Sequence, residues 1–207
     1  MKVGLVLECQ KDGPDAKVLK ELFRKFAPDI EASVATMSNK PNLLKECGIA
    51  ARNLLAEGCA HVVIVWDLCP TDWGDALQQS DRTPCLHQDR ERVFQSLRSA
   101  GVDESRASLV AITYMLETWL LADKQAIARF LSAQAGREIT AQQVGRGNPT
   151  TEKSPKDALS KAFERQNRPH YRDNVHALKI AQQIVSLRNL QKRPDFDRFW
   201  QKATQRT

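Results

Sequence analysis

The sequence has no uninterrupted apolar run near the ~18 residues a membrane span requires, no CxxC pair, and no glycine-rich phosphate loop beyond the isolated Gly145-Arg146-Gly147. The first absence argues against a membrane protein, the second against a paired-thiolate zinc site, and the third against nucleotide hydrolysis by this chain alone. The start, Met1 to Glu8, reaches a charge too soon for a signal peptide, so a soluble, cytoplasmic chain is expected. Its five cysteines are an odd number scattered without secretory features, which argues against a disulfide framework. Cys69, Cys85 and His87, with Cys9 as a further donor, are weighed as a zinc set and set aside in favour of free thiols. His61, His87, His170 and His176 show no metal spacing among themselves, and neither internal repeats nor low-complexity tracts are present.

What is present is an asymmetry of charge. Residues 1–132 carry 16 Lys+Arg against 18 Asp+Glu, whereas residues 133–207 carry 15 against 7, so the net +6 sits in the C-terminal third. A basic surface beside a mildly acidic body suits a polyanion lying next to bound cations, and equally suits a solvated helical tail.

Short apolar runs alternate with amphipathic ones through the first two-thirds, the pattern of an α/β fold with a mainly parallel sheet. Strands are expected near 2–8, 30–37, 60–66 and 107–113. Helices are expected over 15–27, 42–57 and 87–100, stopped by Pro28, Gly58 and Gly101. Leu116 to Leu131 reads as one apolar helix and 134–154 as a loop-rich junction. Helices at 155–165 and 173–191 follow, then a closing amphipathic segment with Phe196, Phe199 and Trp200 at one-turn spacing. The division predicted is a core of residues 1–132 and a basic helical extension, 133–207, packed on it.

Ligands of an open parallel sheet sit beyond the carboxyl ends of its strands. Glu8 closes the first predicted strand, Asp67 closes the third, and Glu117 follows the fourth, with Asp12 and Asp72 in the adjoining loops. Carboxylates gathered there repel one another unless a cation neutralises them, and oxygen donors of this kind suit Mg²⁺ or Mn²⁺. Such a cation can bridge phosphate oxygens and activate water. Each acid also has a plain reading: a strand-end residue for Glu8, a turn acid for Asp67, first-turn helix charge for Glu117, and ordinary loop acids for Asp12 and Asp72. In the basic third, Arg146, Lys156, Arg172 and Lys179 are candidates for tracking a phosphate backbone, with His170 or Tyr171 for stacking.

Three stretches carry a family resemblance: Glu8-Cys9-Gln10-Lys11-Asp12, Val63-Ile64-Val65-Trp66-Asp67-Leu68, and Met115-Leu116-Glu117-Thr118-Trp119-Leu120-Leu121-Ala122-Asp123. With Asn148-Pro149, Ser154-Pro155-Lys156-Asp157-Ala158-Leu159, Tyr171 and the segment Pro194 to Phe199, the chain resembles a prokaryotic family of Toprim-related domains of unknown function. That family is often encoded beside ABC- or AAA-type ATPases, in the manner of the overcoming-lysogenization-defect nucleases of anti-phage defence. The resemblance implies a Toprim-like sheet, a Glu near the scissile phosphate, here Glu8, and an Asp-x-Asp pair binding Mg²⁺, of which Asp67 is the first member. The sequence departs from that pattern at Cys69, where the second Asp would stand, and at Cys9, where a Gly usually follows the Glu. Asp72 is the candidate replacement.

The function expected is therefore that of a metal-dependent nuclease, the effector of an ATPase-associated anti-phage system. Glu8 and Asp67 would be catalytic, with Glu8, Asp67, Asp72 and Glu117 around Mg²⁺ or Mn²⁺. Its partners would be DNA, tRNA or another RNA and an ABC- or AAA-type ATPase. Two alternatives stand beside it. One is a catalytically inactive Toprim-like module that binds a partner. The other, drawn from Asp67-Leu68-Cys69-Pro70-Thr71, is a haloacid-dehalogenase-like phosphatase, for which no later acidic pair is found.

Overall fold

Alternation of side chains along the strands decides which helix covers which face. In β1 (Lys2–Leu7), Val3, Leu5 and Leu7 point one way and Val6 the other. In β3 (His61–Asp67), Val63 and Val65 join the first set, and Val62, Ile64 and Trp66 the second. The computed structural model, which describes residues 1–68, 86–145 and 154–205, adds β2 (Glu31–Thr36) and β4 (Ala107–Ile112). All four strands are parallel, in the order β2-β1-β3-β4, so the α/β expectation holds and each predicted strand lies within a residue or so of its place.

Right-handed crossovers then assign the layers. The chain moves from β1 outward to β2 through α1 (Pro14–Phe26), then back across β1 to β3 through α2 (Lys40–Ala56), so these two helices lie on opposite faces. Val18, Leu19, Leu22 and Phe23 of α1 join the first apolar cluster. Leu43, Cys47, Ala51 and Leu54 of α2 join the second, with Val93 and Leu97 of α3 (Leu86–Ser99). The C-terminal helices complete the first face. Leu159 and Phe163 of α7 (Pro155–Glu164), Ala177 and Ile180 of α8 (Asp173–Gln182), and Phe196 and Phe199 of α9 (Pro194–Thr204) share one cluster with the sheet. Phe23 meets Trp200 with ring centroids 5.1 Å apart.

Three predicted elements are corrected. The single helix over 116–131 is two, α4 (Glu117–Ala122) and α5 (Lys124–Ala135), because Asp123 leaves helical geometry and its Oδ1 accepts the Ala126 N–H at 3.1 Å, capping the second. The helix predicted over 173–191 ends at Gln182. Lys25 Nζ donates to the Gln182 carbonyl at 2.8 Å and to that of Ile184 at 2.5 Å, while Arg129 takes the Gln183 carbonyl, so cations satisfy carbonyls that another turn would have used. The junction 134–154 contains a short helix, α6 (Ala141–Val144), opened by a capping box between Thr140 and Gln143. Among the described residues no helix is long and apolar enough to cross a membrane.

The α2–α3 contact depends on Gly48, where an added methyl would overlap the Ser96 carbonyl. The Gly48 N–H also donates to Ser96 Oγ at 3.0 Å. Gly48→Ala should lower stability by about 1–3 kcal/mol, the usual cost of overpacking, seen as a lower urea midpoint at unchanged slope. An unchanged midpoint would contradict this close approach.

Candidate functional site

The order β2-β1-β3-β4 makes the gap between β1 and β3 the point where successive crossovers depart in opposite directions, which opens a crevice beyond the carboxyl ends of those two strands. Glu8 follows the last residue of β1 and Asp67 is the last residue of β3. The two meet there, the Asp67 N–H donating to Glu8 Oε2 at 3.0 Å. Glu117, at the start of α4, is 3% exposed and closes the crevice from the β4 side. These three acids line one cavity of about 560 Å³, together with Asp12, which is exposed and holds a left-handed backbone at φ 58°. Asp72 lies outside the described residues.

Sequence reasoning missed Asp15. It sits in the first turn of α1, behind Gly13 and Pro14, and lines the same cavity. The signal was available: the helix after a switch-point strand aims its N-terminus at the crevice, where an acid is favoured by the helix dipole. Lys40 and Asp173 were missed as well. Lys40 opens α2, is 3% exposed and also lines the cavity, and Asp173 opens α8.

Crowding shows in the acid strengths. Burial, then the charges of Asp15, Glu8 and Glu117, raises the Asp67 carboxyl well above its ordinary value against the opposing pull of Lys156. Burial takes Glu117 up to about 7 and Asp15 up to about 6, with Lys156 again opposing. Cys9, also at the cavity wall, is pushed up to about 12 by burial and by Asp15, so its thiol stays protonated and is a poor nucleophile.

The C-terminal third contributes to this site from inside. Lys156 pairs with Asp173 at 2.9 Å and both line the cavity, so Lys156 stands at the acidic pocket. Tyr171 is buried and its hydroxyl donates to Glu117 Oε1 at 3.2 Å, which removes it from the candidates for base stacking. His170 is exposed and pairs with Glu164 at 2.8 Å. Arg172 and Lys179 are exposed, and Arg146 lies outside the described residues. Other cations of this third hold the fold: Arg165 and Arg168 donate to the carbonyls of Val144 and Gln134, and Arg193 pairs with Asp195 in the interior at 3.0 Å.

The donor chemistry fits a hard divalent cation, being carboxylate oxygen throughout. The spacing is open: among the described residues, no three His, Cys, Asp or Glu side chains are grouped closely enough to hold a metal ion. Cys9, Cys47 and Cys59 are free thiols, His87 is exposed on α3, and Cys69 and Cys85, the remaining members of the weighed zinc set, lie outside the described residues. Cys69 to Thr71 of the phosphatase-like stretch lie outside them too.

A family model described as a domain of unknown function, DUF4276, matches residues 15–203. No curated protein and no solved structure matches the chain.

Proposed function

The chain belongs to the DUF4276 family of domains of unknown function, and because that description carries no activity we propose, from the geometry, a divalent-cation-dependent phosphodiester hydrolase acting on nucleic acid. The observation that carries the reading is the convergence of Glu8, Asp15, Asp67 and Glu117 on one cavity at the sheet's switch point. The described lining of that cavity holds six acids against three lysines. Two of the lysines are in ion pairs, Lys156 with Asp173 and Lys40 with Asp89. The excess negative charge calls for protons or a cation, and Mg²⁺ or Mn²⁺ would supply positive charge beside a phosphate and acidify a bound water.

The chain's own residues divide the remaining work. Asp67, with Glu117 or Asp15, would hold the cation. Glu8, oriented by the Asp67 N–H, would take the proton of the attacking water. Lys156 would face a non-bridging phosphate oxygen from the opposite wall. The Toprim-like character of the sheet and an ABC- or AAA-type ATPase partner rest on the sequence resemblance, and an anti-phage role rests on it too.

The test is cleavage of labelled single-stranded DNA, duplex DNA and RNA by the full chain with Mn²⁺ or Mg²⁺. Cleavage that EDTA stops and that Glu8→Gln lowers at least about a hundredfold is expected. Equal cleavage by Glu8→Gln would overturn the mechanism.

A second reading has one observation in its favour, the open spacing of the acids: a partner-binding module whose carboxyls are held neutral by protons. It predicts that Mn²⁺ leaves the melting temperature unchanged, whereas the hydrolase reading predicts stabilisation growing with Mn²⁺ concentration.

A further inference from the structure

Lys40 and Asp89 form an ion pair that the proposed chemistry does not use. The Lys40 side chain is 4% exposed and that of Asp89 12%, and Nζ lies 2.8 Å from Asp89 Oδ2. The same carboxylate oxygen accepts the Trp66 Nε1–H at 3.2 Å. Lys40 Nζ also donates to the carbonyls of Asp67 and Leu68, both at 3.1 Å. Asp89, Asp67 and Leu68 are thus drawn together on one ammonium.

Two details separate this network from ordinary packing. Consecutive carbonyls in a strand point to opposite sides, so two of them converging on one ammonium fix the point where the backbone turns out of β3. That point is Asp67. Its N–H is held by Glu8 and its carbonyl by Lys40, and the next N–H, that of Leu68, donates to the Ile112 carbonyl at 2.7 Å. The backbone of the acid is clamped on both sides while its side chain lines the cavity. The second detail is energetic: a buried ion pair contributes little net stability compared with apolar side chains of similar volume, so stability is a weak reason for placing one beneath the site.

We infer that Lys40, held by Asp89, is a positioning residue that sets the direction of the Asp67 carboxylate by fixing the backbone at the end of β3. The inference rests on the proposed cation site for its consequence and on backbone geometry for its substance. Groups that orient metal-binding side chains typically change affinity or activity by about 10–100-fold when removed.

The test uses the full chain carrying Lys40→Met and Asp89→Leu together, which leaves neither charge buried alone. Expected are a melting temperature within about 4 °C of the parent, Mn²⁺ affinity at least about tenfold weaker, and faster hydrogen exchange at the Asp67 and Leu68 amides. Parent-like affinity and exchange in a folded variant would overturn the inference. Should the double variant fail to fold, Asp89→Asn, nearly isosteric, is expected to change affinity and exchange in the same directions, and parent-like values there would overturn it equally. If the parent binds no Mn²⁺, the cation reading falls, and the exchange rates decide the inference on their own: faster supports it, unchanged overturns it.

Discussion

Asp67→Asn is expected to abolish metal-dependent hydrolysis, by at least about a hundredfold, and to make the metal-free protein more stable than its parent. The two effects have one cause. The Asp67 carboxyl is raised by burial and by three neighbouring acids, so its charge is tolerated at neutral pH only at a cost to the fold. An amide of the same shape carries no such charge. Among the described residues, the hydrogen bonds that place the residue involve its backbone, through Glu8, Lys40 and the ladder to β4, and asparagine keeps them. The gain is read as a higher urea midpoint in EDTA. Loss of function with gain of stability marks a site built for a ligand. A destabilised Asp67→Asn protein would show instead that the acid belongs to the fold.

The metal-free protein should also lose stability as pH rises from 5 to 8. Glu117 moves from 4.5 to about 7 on folding and Asp15 from 3.8 to about 6, in both cases chiefly through burial. An acid whose pKa is raised on folding binds more protons in the native state. Its stabilising contribution is complete below the unfolded value and disappears as pH climbs through the folded one. The window therefore runs from about 4 to about 7, and Glu117 alone is worth on the order of 3 kcal/mol across it. For a chain of this size that corresponds to a fall in melting temperature of roughly 6–12 °C. Saturating Mn²⁺ should restore most of the loss at pH 8 and do little at pH 5, where protons already fill its role. Melting curves at five pH values with and without Mn²⁺ check both halves. A metal-free melting temperature that rises from pH 5 to pH 8 would contradict the assigned burial of these acids.

The strands were legible because both faces of the sheet are covered, which gives near-continuous runs such as Val62-Val63-Ile64-Val65-Trp66. Glu8, Asp67 and Glu117 were legible as strand-end acids for the same reason: a charge directly after an apolar run marks where a strand leaves the core. Asp15 was hidden by an equally good local explanation, since an acid in the first turn of a helix is favourable whether or not it faces a site. Lys156 was read by its charge as part of a basic surface, and only folding brings α7 and α8 against the crevice so that the lysine meets Asp173. Tyr171 illustrates the same limit, because nothing local to it names Glu117, fifty-four positions earlier, as its partner. The break at Asp123 was missed because apolar periodicity continues across it while the cap is a single side chain.

Crystals of the full chain soaked in Mn²⁺ at pH 8 test the central claim most directly, through the anomalous scattering of the ion. The account predicts a peak in the crevice between β1 and β3, within about 2.3 Å of a carboxylate oxygen of Asp67 and of at least one among Glu8, Asp15 and Glu117. A fully soaked crystal with no peak among these acids, or with its ion held elsewhere on the chain, would contradict it.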